Sequence, residues 1–422
     1  MEYQDTLAFA RRMDRQDPLR AYRSSFLFPR QAGRKVLYFC GNSLGLQPRG
    51  VGAALREELR LWAEEGVEGH FRGERPWMYY HRFLQPQSAR LMGAQDQEVV
   101  VMNTLSVNLH LLMVSFYTPT RERFKILMEG HAFPSDQYVV ESQVRMHGCD
   151  PAAAVVELFP RQGEDCLREE DILAAIREQG SSLALVLFGG VNYYTGQWFD
   201  MQAITAAAHA VGAVAGFDLA HAVGNVPLSL HEWNVDFACW CSYKYLNAGP
   251  GGPGGIFVHA RHGDRPELQR LAGWWGHDED SRFRMEKGFV PMRGAAGWQL
   301  SNAQVLGMAA HRVGLDLFDA AGMDALRRKS LLLTGHLRFL LERLQAERPL
   351  FRILTPSEPH RHGSQLSLLT LRKGRAIFDY LSANGVVADW REPDVIRLAT
   401  VPMYNRFEDG WRLYDLLRKM PA

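Results

Sequence analysis

Long apolar runs are missing from this chain: no stretch approaches the roughly 18 consecutive apolar residues that would span a bilayer. The start, from Met1 to Arg20, is charged and lacks the apolar core of a secretory signal, so a cytoplasmic protein is expected. Cysteine is sparse and odd in number. Cys40, Cys149, Cys166, Cys239 and Cys241 stand mostly in apolar surroundings, which argues against a disulfide framework and for reduced thiols. An excess of one charge is also absent, since 48 basic and 47 acidic residues leave a formal net charge of +1. No global field then favours nucleic acid or an anionic membrane, and the expected partner is a small molecule. Lysine is the rarest cation, with Lys35, Lys125, Lys244, Lys287, Lys329, Lys373 and Lys419 as its only occurrences. Chemistry that needs a primary amine able to lose its proton, which arginine cannot provide, therefore has few candidates.

What is present is ordinary for a globular chain: 422 residues, 46% hydrophobic and 23% charged, enough for one large core and a smaller domain. From about residue 98 to 258, short runs rich in Val, Ile, Leu and Phe alternate with longer amphipathic stretches, the pattern of a mostly parallel sheet flanked by helices. The expected strands are 99–102, 124–128, 154–158, 183–188, 214–218 and 237–241. A helical series from Ala303, a leucine-rich stretch from Leu331 to Leu344 and short strands at 366–371 and 395–399 predict a smaller α+β domain. The division expected is an N-terminal segment, 1–52, packing with the small domain, a large α/β domain over 53–309, and the small domain over 310–422.

In open α/β sheets ligands collect where strands end, so chemistry is sought there. Ser242-Tyr243-Lys244-Tyr245 directly follows the apolar strand ending at Cys241 and precedes the glycine cluster from Gly249 to Gly255. Burial there disfavours the ammonium form of Lys244, making the amine a usable nucleophile, and the glycines let the backbone pass close to a bound group. Taken alone, a strand-end lysine reads more readily as one reaching out to water, a preference that the glycine cluster and the flanking Tyr243 and Tyr245 reverse. Asp218 closes the strand 214–218, and His221 follows it. A buried strand-end carboxylate needs a cation beside it, which a protonated pyridine nitrogen would supply. The alternative for Asp218 is a helix N-cap with His221 in the first turn. Asn103 to Asn108, hydroxyl-rich before a helix, offers an anion seat, and His131 to Asp136 offers an aromatic face, a hydroxyl and a carboxylate. His259 and His262 show no Cys or carboxylate at metal spacing, and the glycine run lacks a P-loop's ending, so neither a metal site nor nucleotide hydrolysis is expected.

Several segments together resemble the kynureninases, a family of fold-type-I pyridoxal-phosphate enzymes in the aminotransferase class V superfamily. They are Tyr38 to Leu46, Gly69-His70 with Arg75-Pro76-Trp77, Phe133-Pro134-Ser135-Asp136, Tyr193 to Gln197, Ser242 to Gly249, Gly273 to His277 and Arg397 to Asn405, spread along nearly the whole chain. The resemblance implies a seven-stranded, mostly parallel sheet and hydrolysis of L-kynurenine or its 3-hydroxy relative to the corresponding anthranilate and L-alanine, in tryptophan catabolism. It implies pyridoxal 5′-phosphate bound covalently to Lys244, Asp218 on the ring nitrogen and Phe133 stacked on the ring. Leu105, Ser106, Pro134, Ser135 and Tyr243 would line the phosphate and ring, with Asp136 and His221 nearby. It further implies a homodimer in which Trp274 and Asn302 reach the partner's phosphate. Arg397 would clamp the substrate α-carboxylate, Ser43, His70 and Asn302 would stand near its aromatic amine, and Tyr243 would relay protons. Ser106 stands where threonine is usual, and Gly189 where some relatives carry serine, a contact that a neighbour such as Asn192 could supply. The readings set against this one are a desulfurase or aminotransferase of the same superfamily and a binding protein that keeps the fold without catalysis.

Overall fold

In the computed structural model, which describes residues 2–421, seven strands form the central sheet: β1 (Val99–Val101), β2 (Lys125–Glu129), β3 (Val155–Leu158), β4 (Leu183–Gly189), β5 (Val214–Asp218), β6 (Phe237–Cys241) and β7 (Gly254–Val258). Their spatial order is β1-β7-β6-β5-β4-β2-β3. The pairs β6–β5, β5–β4, β4–β2 and β2–β3 are parallel, whereas β7 runs antiparallel to both β6 and β1. Alternation along each strand feeds two separate cores. Val99, Val101, Leu127, Val186, Ala238 and Trp240 face one side; Val100, Ile126, Met128, Leu185, Phe237 and Cys239 face the other. Burial on both faces explains why these strands read as unbroken apolar runs rather than as half-polar ones.

Strand β7 was not expected, because its first residues, Gly254 and Gly255, belong to the glycine cluster. The glycines are there for packing. A Cβ on Gly255 would lie 2.2 Å from Cζ2 of Trp240 on the neighbouring strand, so only glycine admits that indole.

The smaller sheet, in the order β8 (Phe351–Ile353), β9 (Gln365–Thr370), β11 (Val395–Ala399), β10 (Asp389–Arg391), is antiparallel throughout. It packs with the helices Met323–Glu347 and Phe407–Lys419 around a third core that includes Leu340, Leu366, Leu398 and Leu413. Leu37–Tyr38 pairs with Val386–Val387, and Ala399 N–H donates to the Phe39 carbonyl, so this early segment is stitched to the small sheet. The helix Val305–Ala321 runs across the boundary expected at 309/310 and packs on Val51–Glu65. Among the described residues no helix is long and apolar enough to cross a membrane.

Candidate active site

Parallel strands deliver their C-terminal ends to one edge of the sheet, and several of the residues singled out above meet there. Asp218 is the last residue of β5, Lys244 follows the end of β6, and Phe133–Asp136 opens the helix Pro134–Met146 after β2. Lys244 is buried, with Nζ 5.8 Å from the Phe133 ring centroid and 5.9 Å from that of Tyr243. Asp218 accepts a hydrogen bond from Ala220 N–H at 2.7 Å, and its carboxyl lies against that of Asp136. Burial raises both carboxyls above the ordinary range; for Asp136 the neighbouring Asp218 adds to the rise, and Lys244 opposes it for both. His221 completes the group as a buried imidazole pushed well below its usual range by desolvation and then by Lys244, so it stands neutral. Burial likewise raises the Tyr243 phenol, which stays a hydrogen-bond donor.

The loop Gly41 to Gly45 roofs this corner. Gly45 N–H donates to the Tyr243 carbonyl at 2.8 Å, and a Cβ on Gly45 would fall 2.3 Å from the Lys244 carbonyl oxygen. At the other side, the Ser106 and Ser135 hydroxyls are hydrogen-bonded at 2.6 Å. Each lies in the first turn of a helix, Leu105–Phe116 and Pro134–Met146, so two N-termini converge where an anion is favoured.

Arg397, on β11, is fully buried. Its guanidinium donates to Asp389 at 3.0 and 2.8 Å, to the Tyr193 carbonyl at 2.6 Å and to Ser43 Oγ at 3.2 Å. Ser43 also donates to Asp389. The antiparallel register pairs Asp389 with Arg397 across the small sheet, a partnership that sequence distance conceals. Tyr193 sets its ring edge-on to Phe133, centroids 5.2 Å apart, and so links the arginine to the lysine corner. His70 makes local contacts, Nδ1 to the Val67 carbonyl at 3.0 Å and an edge contact with Trp77. Trp274 is half exposed and rests against Phe283, and Asn302 is exposed.

Two features escaped sequence reasoning. Glu129 is a buried carboxylate at the end of β2, beside Asp218 and Asp136. The strand-end rule that found Asp218 points to it equally, but the apolar run seemed to end at Met128. The histidines need a correction as well, since both have carboxylates beside them: His262 Nε2 lies 2.7 Å from Asp236 and His259 Nδ1 3.7 Å from Glu98. Glu98, His231 and His259 bring potential ligand atoms within 4.8 Å of one another. Hydrogen bonds account for that cluster: Glu98 accepts from His231, Ala260 N–H and Gln95 N–H. The two imidazoles stack at 16°, so their in-plane lone pairs run side by side instead of converging on an ion.

Among curated proteins, the chain is 55% identical over 411 residues to the kynureninase of Koribacter versatilis, covering 97% of this chain and 96% of that one. It is 53% identical to that of Flavobacterium johnsoniae, with 99% of each covered, and 54% to that of Myxococcus xanthus, with 98% and 97% covered.

The chain belongs to the kynureninase family.

The family model described as the kynureninase C-terminal domain matches residues 326–417. Solved structures extend the likeness to the wider fold. A cystine C–S lyase superposes with a TM-score of 0.77 at 17% identity, covering 92% of this chain and 98% of that one. A cysteine desulfurase from Escherichia coli gives 0.75 at 17%, covering 94% and 97%. At such identities the likeness establishes the fold, that of the fold-type-I enzymes, and the kynureninase relatives carry the function.

Proposed function

We propose that the chain hydrolyses L-kynurenine, or its 3-hydroxy derivative, to anthranilate or 3-hydroxyanthranilate and L-alanine, with pyridoxal 5′-phosphate as cofactor. The observation that carries this reading is the match to kynureninases along essentially the whole length of both chains. The residues at the sheet edge fit the cofactor. Asp136 Oδ1 and His221 Nδ1 are buried with no hydrogen-bond partner among the described residues, and two carboxyls share one corner, a setting that a protonated ring nitrogen would relieve. When bound, the cofactor supplies an electron sink for charge left on the substrate's three-carbon side chain.

The protein's part is binding, orientation and proton transfer. Lys244 would bind the cofactor covalently and, once displaced by the substrate amine, take the α-proton on Nζ. Asp218 would hold the proton at the ring nitrogen, and Phe133 would lie along the ring face. Ser106, Ser135, Pro134 and the Leu105 turn would seat the phosphate on the two helix N-termini, with Tyr243 donating to it and passing protons. Arg397 suits the substrate carboxylate because a guanidinium can bind it bidentately, with Asp389 and Ser43 fixing its plane. Water adds to the γ-carbonyl, the β,γ carbon–carbon bond breaks, the aromatic acyl part leaves as the anthranilate, and the three-carbon part leaves as alanine.

A desulfurase needs a nucleophilic thiolate, and four of the five thiols point the other way: burial pushes Cys40 and Cys166 up to about 11 and raises Cys239 and Cys241 too. A homodimer with shared sites and a cytoplasmic location belong to the same proposal. Supporting the dimer, Trp62, Phe71, Trp274, Phe283 and Met285 are each at least 50% exposed, and Trp274 and Phe283 pack edge-on to each other at the surface. In such a dimer Trp274 and Asn302 would reach the phosphate of the partner's cofactor, and Ser43, His70 and Asn302 would stand near the substrate's aromatic amine. The domain division proposed is 1–52, 53–309 and 310–422, with the helices Val51–Glu65 and Val305–Ala321 bridging its two boundaries. The test of function is Lys244→Ala, which should remove the absorbance of lysine-bound cofactor and lower turnover by roughly a thousandfold or more. Retained steady-state release of alanine and anthranilate would remove Lys244 from the reaction.

A further inference from the structure

Glu129 is 5% exposed, and each of its two oxygens accepts from one donor: Oε1 from Gly189 N–H at 3.1 Å and Oε2 from the Asn192 side-chain amide at 2.7 Å. The Gly189 donor is backbone and cannot turn away. The Asn192 donor is equally fixed, because its Oδ1 accepts from Tyr194 N–H at 2.9 Å, Thr195 N–H at 2.8 Å and the Thr195 hydroxyl at 3.0 Å, so the amide cannot flip. The site therefore presents two immovable donors and requires two acceptors. A carboxylate meets that demand; a glutamine, with one oxygen and one NH2, cannot.

Both anchors lead to the reaction centre. Gly189 sits in register with Asp218 on the adjacent strand, and Gly190 N–H donates to the Asp218 carbonyl at 2.7 Å. Asn192 opens the turn that carries Tyr193, whose carbonyl accepts from Arg397 at 2.6 Å and from Gln365 at 2.9 Å and whose ring abuts Phe133. We infer that Glu129 is a positioning residue for the proposed reaction, a two-point tether that sets Tyr193 and, through it, the orientation of Arg397 and Phe133 toward substrate and cofactor. This inference rests on the function proposed above. Glu129 also lines a cavity of 580 Å³ with His131, Phe159, Asn192 and Tyr193, so the tether has a solvent side.

The reciprocal swap tests it. Glu129→Gln alone sets one NH2 against a fixed donor, and Asn192→Asp alone sets two carboxylates face to face. Together they restore every bond. The introduced glutamine's oxygen would accept from Gly189 N–H and its NH2 would donate to one oxygen of the introduced aspartate, whose other oxygen would keep the three turn donors. With the holoenzyme, each single variant should raise KM for L-kynurenine about tenfold, the scale of one buried unsatisfied group, with kcat changed by less than about threefold. Each should also lower the thermal midpoint, and the double variant should recover both KM and midpoint. The tether is overturned by singles that leave KM unchanged, by a fall in kcat at constant KM, or by a double variant that does not recover, including one that fails to fold when the singles do. The midpoint cycle needs no turnover. Recovery there with an inactive wild type would refute the proposed function and keep the tether's geometry.

Discussion

Strands β5 and β6 bury an acidic residue at each end of the sheet, and the two ends treat them oppositely. Asp236, just before β6, is 4% exposed and meets His209 at 2.8 Å, His262 at 2.7 Å, Arg261 and the Ala215 amide. Burial pushes its carboxyl up, but these partners outweigh burial and hold it well below the usual carboxylate range. Asp218, at the other end of β5, is 7% exposed and raised, with Lys244 and Ala220 N–H only partly offsetting desolvation. The structural carboxylate, Asp236, is surrounded by hydrogen-bond donors of the protein itself, an arginine among them. Asp218, by contrast, is left with burial outweighing its partners, and in the proposed reaction a ligand would complete it.

Four variants or conditions can break or sharpen that contrast. The largest effect is expected from Asp218→Asn in the holoenzyme, which removes the charge proposed to hold the ring-nitrogen proton: kcat should fall on the order of 10²- to 10³-fold. A loss under about threefold, measured as alanine release, would make Asp218 a structural residue like Asp236. Next is Asp236→Asn, which leaves His209, His262 and Arg261 without their carboxylate and should cost roughly 3–5 kcal/mol in chemical denaturation, with kcat unchanged. The sign with pH follows: a carboxyl held low stabilises the fold above its unfolded value and loses that contribution as pH falls below the usual carboxylate range. The variant should therefore show a flatter acid limb.

A smaller effect concerns Glu129. Burial pushes it up to about 7, with Asp218 adding and Asn192 and Gly189 opposing. The groups around it are Asp136 and Asp218 at the sheet edge and His131, Glu164, Asp165, Tyr193, Tyr194 and Glu392 around the cavity. Protonation removes one acceptor, so KM in the wild type should rise several-fold between about pH 8 and about pH 6, while Glu129→Gln should show a flat KM over that interval. The smallest effect is the control: Arg375 and Asp379 form a surface pair, 63% and 59% exposed, and Asp379→Asn should change stability by less than about 0.5 kcal/mol.

The sequence made one half of this contrast far more legible than the other. Asp218 and Lys244 stood out because each follows an apolar run and interrupts it with a charge, and the order of strands carried both to one edge. The parallel sheet was legible for the same reason, since both of its faces are buried. Strand β7 was hidden because glycine, placed there to admit Trp240, is also the residue of loops. Glu129 was hidden because a charge at the end of an apolar run looks like an exit to solvent. Asp236 gave no sign of its role, because its partners come from a helix ending near His209 and a turn at Arg261–His262 that only folding brings together. The Asp389–Arg397 pair was likewise invisible until the small sheet's register set it.

The most direct test compares thermal midpoints of the wild type and Asp218→Asn, each with and without pyridoxal 5′-phosphate, at neutral pH. In the cofactor-free protein a raised carboxyl favours its protonated form in the fold, so stability declines as pH climbs from the unfolded value through the folded one. Without cofactor the variant should melt higher than the wild type, because its amide donates to Asp136 where two carboxyls had competed, and cofactor should raise its midpoint less. A variant that melts lower without cofactor, and gains as much as the wild type when cofactor is added, would contradict the claim that Asp218 is kept for the ligand.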